Sequence, residues 1–136
     1  MNEKRGYMLK SQSDDWETPK ELLQSLKQEF GSLFDPCPVN HDFDGLSIEW
    51  KDPTFVNPPY SEWPKWVKKG IEENAKGKTV IFLLPARTDT STFHDLIYHK
   101  AELRFLRGRL KFTLNGKTNP APFPSMLVIF RKMRLT

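Results

Sequence analysis

A polar and aromatic motif, Asn57-Pro58-Pro59-Tyr60, stands where a predicted strand ends and a predicted helix begins. The strand is Thr54-Phe55-Val56, a short apolar run. Open α/β sheets bind their ligands at such junctions, beyond the carboxyl ends of the strands. The two prolines stiffen the backbone and remove two N–H donors, so the carbonyl groups of Asn57 and Pro58 are candidate acceptors. Two acceptors beside an aromatic ring suit a planar substrate with an exocyclic NH2 group, such as adenine.

Further segments of unusual composition accompany this motif along the chain. They are Asp15-Trp16-Glu17-Thr18-Pro19, Asp35-Pro36-Cys37, Asp44-Gly45-Leu46, Leu83-Leu84-Pro85-Ala86-Arg87-Thr88-Asp89-Thr90, Arg107-Gly108-Arg109-Leu110-Lys111-Phe112 and Ala121-Pro122-Phe123-Pro124-Ser125-Met126. Together with the tetrapeptide, which resembles the Asn-Pro-Pro-Tyr motif of amino-methyltransferases, they resemble the phage-type DNA N6-adenine methyltransferase (Dam) family. The resemblance runs from about Ser13 to Phe130, which is nearly the whole chain.

The resemblance implies an α/β fold, namely a reduced Rossmann-like methyltransferase fold with a mostly parallel sheet and an antiparallel C-terminal pair. It also implies that S-adenosylmethionine methylates N6 of an adenine that is flipped out of double-stranded DNA. Asn57 and the Pro58 carbonyl would accept hydrogen bonds from the amino group, and Tyr60 would stack on the base. Transfer would be direct and would depend mainly on alignment and electrostatics, with no metal required.

The resemblance also implies cofactor-binding residues. Thr18-Pro19 would line the methionine end of S-adenosylmethionine, Asp35 would begin the cofactor loop, and Pro36, Cys37 and Asn57 would border the same site. The Pro36-Cys37 pair is also similar to the nucleophile segment of cytosine-C5 methyltransferases. The amino-methylation motif elsewhere in the chain favours Cys37 as a small apolar residue near the cofactor.

The chain departs from the wider methyltransferase pattern in two places. Pro38-Val39-Asn40 stands where a Gly-x-Gly sequence is expected, and residues 41–53 contain no convincing strand and helix. Two sheet strands are therefore predicted to be missing, and Asp44, or Asp42, would have to bind the ribose of the cofactor. Asp44-Gly45 is equally a plain turn signal. Trp50 would either lie against the cofactor adenine or close the core.

Periodicity and end signals predict the remaining elements. The first predicted helix begins at Thr18-Pro19, with Thr18 as N-cap and Glu21 in a capping box, and ends at Gly31. A second helix is predicted over 61–76, and a third is predicted to be capped by Asp89 or Thr90. The predicted strands are 33–35, 79–84, 103–106, 126–130 and an optional strand over 109–114, followed by a loop to Pro124.

The distribution of charge predicts a nucleic-acid partner. The net charge is +4, yet residues 100–136 carry 9 Lys+Arg and a single acidic residue, whereas residues 1–99 carry 12 Lys+Arg and 16 Asp+Glu. A basic region on a weakly acidic body is typical of a phosphate-binding face. The candidate DNA contacts are Arg87, Arg107, Arg109, Lys111 and Phe123.

Two of these assignments have alternatives. On one strand, Arg107, Arg109 and Lys111 would project together, but charges also protect edge strands that bind nothing. Arg87 could bind a DNA phosphate or an internal carboxylate such as Asp89.

The 136 residues predict one domain over residues 13–136, preceded by a flexible arm over residues 1–12. The single cysteine excludes an internal disulfide and a cysteine-based zinc site, and no metal-ligand cluster is visible. The absence of a long apolar run predicts a cytoplasmic protein, in the host cell if phage-encoded, without membrane contact. The oligomeric state cannot be predicted from these residues.

Two other functions compete with DNA adenine methylation. The same motif could hold an RNA adenine or a protein glutamine amide. Alternatively, the chain could be a non-catalytic remnant of the fold that binds nucleic acid, as the missing glycines and the shortened sheet suggest.

Overall fold

The computed structural model describes residues 17–38, 42–114 and 116–133, which form an α/β fold. The predicted N-terminal arm, residues 1–12, lies outside the described residues, as do Val39 and Asn40. The elements in chain order are α1 (Lys20–Phe30), β1 (Thr54–Val56), α2 (Trp63–Ala75), β2 (Val80–Pro85), a π-helical turn (Phe93–Ile97), β3 (Glu102–Phe105), β4 (Lys111–Leu114), β5 (Lys117–Pro120) and β6 (Ser125–Phe130).

The main sheet has four strands in the order β1-β2-β6-β3, and β4 and β5 form a separate two-stranded hairpin. The β1–β2 pairing is parallel, and β6 runs antiparallel to both β2 and β3. The predicted strand over 33–35 is reduced to an isolated parallel bridge between Phe34 and Thr54. Its backbone hydrogen bonds run from Phe34 N to Pro53 O and from Phe55 N to Phe34 O, at 2.9 and 2.8 Å.

The prediction of a mostly parallel sheet is wrong, because two of the three strand pairings are antiparallel. The error arises from β6, which is buried along its whole length between β2 and β3. A continuous apolar run is typical of a strand covered on both faces, but it does not report the strand's direction. The predicted antiparallel pair near the C-terminus is confirmed by β3 and β6.

Alternating side chains of the sheet form two core layers. Phe82, Leu84 and Val128 pack under α2 and the π-helical turn, whereas Ile81, Leu83 and Leu127 pack under α1 and the hairpin. This alternation follows from the two-residue period of a strand. Both faces of β2 and β6 are therefore covered, and the loops at the strand ends are positioned by a rigid base.

The two long helices bury apolar residues that recur at helical spacing in their sequences. Leu26 is buried in α1, and Trp63, Trp66, Val67 and Gly70 are buried in α2. Helix α1 ends at Gly31, whose φ of 91° lies in the left-handed region that glycine tolerates. The predicted third helix is the π-helical turn Phe93–Ile97, and Phe93 N donates to Thr90 Oγ1 at 3.2 Å, so Thr90, one of the two predicted caps, makes the capping contact.

The capping contacts that the sequence predicted for the start of α1 are wrong. Pro19 occupies the N-cap position, its carbonyl accepts Leu23 N at 3.1 Å, and no side chain caps the helix. Thr18 is therefore not an N-cap and Glu21 completes no capping box. The Thr18 hydroxyl is engaged elsewhere, with a side chain that follows β1.

The basic segment after β3 also differs from its prediction. The chain bends around Gly108, which has a φ of 71°, and β4 begins only at Lys111. Arg107, Arg109 and Lys111 therefore do not share one strand face, although all three are exposed. Residues 117–120, predicted as loop, form β5 because pairing with β4 supplies backbone hydrogen bonds that no local apolar pattern indicates.

A buried carboxylate joins α2 to the start of β2. Glu73 is fully buried and forms ion pairs with Lys69, Lys76 and Lys78, and it accepts a hydrogen bond from Trp50 N at 3.2 Å. Burial opposes the charged form, but hydrogen bonds from the three lysines outweigh it and lower the pKa of Glu73 to about 2. This cluster lies at the amino end of β2, away from the motif that follows β1.

Candidate active site

The sheet brings the predicted site residues to one edge. Asp35 follows the Phe34 bridge and Asn57 follows β1. Arg87 follows β2, while Phe123 precedes β6, whose amino end pairs with the carboxyl end of β2. A hydrogen bond of 2.8 Å from Ala86 N to Pro124 O ties the last two loops together. The carboxyl edge of the parallel strands is thus the candidate active site, as expected for open α/β sheets.

A cleft of about 320 Å³ opens at this edge. Its volume is at the lower end of the range for small-molecule sites. Four of the predicted cofactor residues, Thr18, Asp35, Cys37 and Asn57, line it together. The other residues that line it are Glu17, Lys20, Leu23 and Pro38.

The Asn57 side chain is oriented by a residue far away in sequence. Its Nδ2 donates a hydrogen bond to Thr18 Oγ1 at 3.1 Å. The contact restricts rotation of the amide group, whose Oδ1 lies in the same plane as Nδ2 and on the other side of Cγ. Amide carbonyl oxygens accept hydrogen bonds from amino groups, so Oδ1 is the Asn57 atom that the predicted chemistry uses.

The rest of the motif forms a rigid turn with an aromatic wall. Pro58 is buried, and the Pro59 carbonyl accepts Glu62 N at 3.0 Å. The Tyr60 ring meets the Phe123 ring edge to face, with centroids 4.7 Å apart, and the Arg87 guanidinium lies 5.9 Å from the Phe123 centroid. Phe123 is 6% exposed, so this buried ring packs against Tyr60 and restricts its position.

The predicted cofactor loop is closed by a hydrogen bond between two of its own residues. Asp35 Oδ1 accepts Cys37 N at 2.8 Å, which closes a turn around Pro36, and Cys37 is buried at the cleft. Gly45 packs on this loop, since a Cβ at that position would lie 2.0 Å from the Pro36 carbonyl oxygen. Only glycine fits such a close approach of two backbones.

Asp44 and Trp50 are placed differently from the cleft residues. Asp44 is exposed and lies outside the residues that line the cleft, and its Oδ1 accepts Leu46 N at 3.0 Å. Trp50 is 1% exposed, stacks on Trp66 and donates Nε1 to the Gly45 carbonyl at 2.8 Å, so it closes the core. The role of Asp44 at a ribose stays a prediction.

A larger cleft of about 660 Å³ lies next to the first and shares Glu17, Thr18 and Lys20 with it. On its other side stand two of the predicted DNA contacts, Arg109 and Lys111. Arg109 also donates Nη1 to the Ala121 carbonyl at 3.4 Å. A second cleft with cations on its wall therefore adjoins the candidate cofactor cleft.

Ion pairs occupy part of the basic C-terminal region. Arg104 forms a two-bond contact with Glu29, 2.7 Å for each bond, and a further contact of 2.8 Å with Glu102. Arg131 donates Nε to Glu102 at 2.7 Å. The ion pairs of these two arginines link α1, β3 and the end of β6, so they contribute to the stability of the fold.

Comparisons with known proteins identify the family of the chain. A family model described as DNA N-6-adenine-methyltransferase (Dam) matches residues 5–135. The chain belongs to this family. The DNA N-6-adenine-methyltransferase of Escherichia phage T1 is 25% identical to it over 124 residues, which is 76% of this chain and 49% of the phage T1 protein. This Dam-family chain thus spans about half the length of that curated relative, and no solved structure matches it significantly.

Within the described parts of this Dam-family chain, no group of three or more His, Cys, Asp or Glu side chains is arranged to hold a metal ion. Across residues 17–38, 42–114 and 116–133, no helix is both long enough and apolar enough to cross a bilayer.

Sequence reasoning missed three residues that the Dam fold brings to the cleft. Glu17, Lys20 and Leu23 line it, but the sequence analysis assigned none of the three to a site. A signal was available for Lys20, because the first turn of a helix that follows Thr18-Pro19 must remain next to those residues. Gly45 gave no such signal, since its close approach to Pro36 depends on the folding of two separate loops.

Proposed function

We propose that this protein is a DNA adenine-N6 methyltransferase that uses S-adenosylmethionine. The observation that carries the proposal is the Asn57 amide held by Thr18, which lies at the carboxyl end of β1 and on the wall of the smaller cleft. Membership of the Dam family and the name of the phage T1 relative support the same reaction. The fold is then a reduced Rossmann-like methyltransferase fold, in which the parallel β1–β2 pair places the site and the usual additional strands are missing.

The residues around the smaller cleft fit S-adenosylmethionine by their chemistry. Asp35 offers a carboxylate and Lys20 an ammonium group, which complement the amine and the carboxylate of an amino acid. Leu23, Cys37 and Pro38 provide apolar surface beside them. When bound, the cofactor supplies an electrophilic methyl group on a sulfonium. Asp35 and Thr18 would bind its methionine portion, with Pro19 and Pro36 shaping the backbone around them.

The acceptor amine would be held by the motif. Asn57 Oδ1 and the Pro58 carbonyl accept hydrogen bonds from the adenine N6 amino group, which aligns the nitrogen lone pair for attack. Tyr60, supported by Phe123, stacks on the base. Two acceptors fixed before the reaction lower its barrier because no dipoles have to reorient.

Double-stranded DNA is the proposed partner. The adenine leaves the duplex, because an enzyme cannot reach N6 inside a base stack. Arg109 and Lys111 on the larger cleft, Arg107 at the adjoining bend and Arg87 near Phe123 would contact the strand. Because Arg104 and Arg131 are paired with carboxylates, we assign them no DNA contact. If phage-encoded, the protein would act in the host cytoplasm.

Asp35 provides the first test of the cofactor assignment. We expect Asp35→Ala to weaken S-adenosylmethionine binding about tenfold or more, since it removes a charged hydrogen-bonding group and the acceptor that closes the Cys37 turn. Asp35→Asn keeps an oxygen for Cys37 N and removes only the charge, so it separates the two contributions. Titration calorimetry with S-adenosylmethionine measures both.

Asp44→Ala is the second half of that test. If Asp44 binds the ribose, Asp44→Ala weakens cofactor binding more than DNA binding. Because Asp44 lies outside the residues that line the smaller cleft, we expect a smaller loss of cofactor affinity than for Asp35→Ala. Unchanged affinity in both the Asp35 and the Asp44 variants would mean that the cofactor binds elsewhere or not at all.

The DNA surface is tested by salt dependence. We expect Arg107→Ala combined with Lys111→Ala to weaken DNA binding and to reduce the slope of log affinity against log salt by about 1.8, or about 0.9 for each phosphate that is no longer neutralised. Affinity for S-adenosylmethionine should not change. Lys65→Ala with Lys68→Ala on α2 removes the same charge elsewhere and is the matched control. A slope that changes only in this control would move the DNA surface to α2.

The non-catalytic alternative is distinguished by cofactor binding. A remnant that only binds nucleic acid would show DNA affinity but no heat of binding with S-adenosylmethionine. RNA or glutamine methylation would instead appear as methyl transfer to those acceptors in competition with DNA. The family assignment favours DNA adenine over both.

A further inference from the structure

Thr18 stands at a position where a threonine normally caps a helix, yet it does not cap α1. The helix begins after Pro19 without any side-chain cap, and the Thr18 hydroxyl accepts the Asn57 amide hydrogen at 3.1 Å instead. Threonine at a helix start commonly stabilises the helix through its hydroxyl. Here the hydroxyl is directed to a residue 39 positions away, on the wall of the cleft.

The backbone of Thr18 is fixed on both sides. The preceding residue, Glu17, donates its N–H to the Thr113 carbonyl of β4 at 3.0 Å, and the two residues form an isolated antiparallel bridge. The following residue, Pro19, accepts the Leu23 N–H at 3.1 Å and so joins the first turn of α1. The hydroxyl therefore acts from a segment anchored to both the hairpin and the helix.

We propose that Thr18 is a positioning residue for methyl transfer, whose hydroxyl holds the Asn57 amide with Oδ1 turned toward the adenine amino group. The proposal rests on the proposed function and deepens it. The family resemblance assigns Thr18-Pro19 to the cofactor; the hydrogen bond to Asn57 gives Thr18 a role toward the acceptor base as well. Thr18 lines both clefts, which places it between the two reactants.

Thr18→Val removes the hydroxyl and keeps the shape of the side chain, whereas Thr18→Ser keeps the hydroxyl. We expect Thr18→Val to reduce kcat about tenfold, the loss that corresponds to one net hydrogen bond, when kcat is measured at saturating S-adenosylmethionine so that cofactor affinity does not enter it. DNA affinity should stay within about twofold of wild type. Thr18→Ser should retain most of kcat. Thr118→Val is the matched control, because it removes a hydroxyl that lies 3.2 Å from the Thr113 hydroxyl, and Thr118 itself lines neither cleft.

A second measurement is independent of turnover. In ¹⁵N-labelled protein, the side-chain amide protons of Asn57 should exchange with solvent slowly in wild type and Thr18→Ser, and faster in Thr18→Val. Equal exchange in all three proteins would overturn the proposal, as would equal loss of kcat in both variants. A loss confined to cofactor affinity would leave Thr18 as a cofactor contact only, and would also overturn it. Wild-type protein that methylates no adenine refutes the proposed function, while the exchange measurement still judges the Asn57 contact.

Discussion

Asn57→Ala is expected to reduce the rate of adenine methylation by about 10²-fold or more, the effect of removing one preorganised hydrogen-bonding group from an active site. The variant loses the Oδ1 acceptor and leaves β1 intact. Asn57 is only partly buried, so the fold should survive, and cofactor affinity should be largely retained. Single-turnover methylation of duplex DNA, combined with calorimetry and a thermal melt, measures the three quantities separately.

Asn119→Ala is the matched control for this variant. Asn119 is exposed on β5 and lies outside the residues that line the two clefts, so its loss should leave the methylation rate unchanged. An Asn57→Ala protein with normal turnover on adenine-containing DNA would contradict the assignment of the motif.

The second large effect concerns stability. Glu73→Gln should lower the free energy of unfolding at pH 7 by about 3 kcal/mol, because a pKa lowered from 4.5 to about 2 stabilises the folded state by about 1.4 kcal/mol per unit. A carboxyl whose folded pKa is depressed contributes stability above its unfolded pKa of 4.5, and that contribution is lost as the pH falls toward 2. The difference between wild type and variant should therefore shrink to about half by pH 3.

Urea unfolding of wild type and Glu73→Gln at pH 7 and at pH 3 tests this prediction, with Glu72→Gln as the control. Glu72 is the neighbour of Glu73 on the same helix and is exposed, so Glu72→Gln removes the same charge without changing the buried ion pairs of Glu73. A difference between wild type and Glu73→Gln that does not change with pH would mean that Glu73 stabilises the fold by packing alone.

The sequence predicted the elements whose signals are local. The apolar stripe of α2, the end of α1 at Gly31, and the long buried strands β2 and β6 all follow from periodicity and end signals in adjacent residues. The edge that gathers Asp35 and Asn57 was also predictable, because each residue directly follows a strand segment.

The features that the sequence did not predict depend on contacts between distant segments. The direction of β6 is decided by how the chain returns from the hairpin, and β5 exists only because β4 pairs with it. The burial of Glu73 depends on Lys78 and Trp50, which belong to two other segments and contact it only in the folded chain. The local sequence predicted that the Thr18 hydroxyl caps α1, but in the fold this hydroxyl accepts a hydrogen bond from Asn57, 39 residues away.

The central claim is tested most directly by analysing DNA nucleosides after reaction. Wild-type protein is incubated with adenine-containing duplex DNA and S-adenosylmethionine labelled in its methyl group, the DNA is digested, and the nucleosides are separated and identified by mass spectrometry. We predict labelled N6-methyladenine with wild type and its near absence with Asn57→Ala. Label in 5-methylcytosine, or no label in the DNA while S-adenosylmethionine is bound, would contradict the assignment of Asn57 to Tyr60 as an adenine-methylating site.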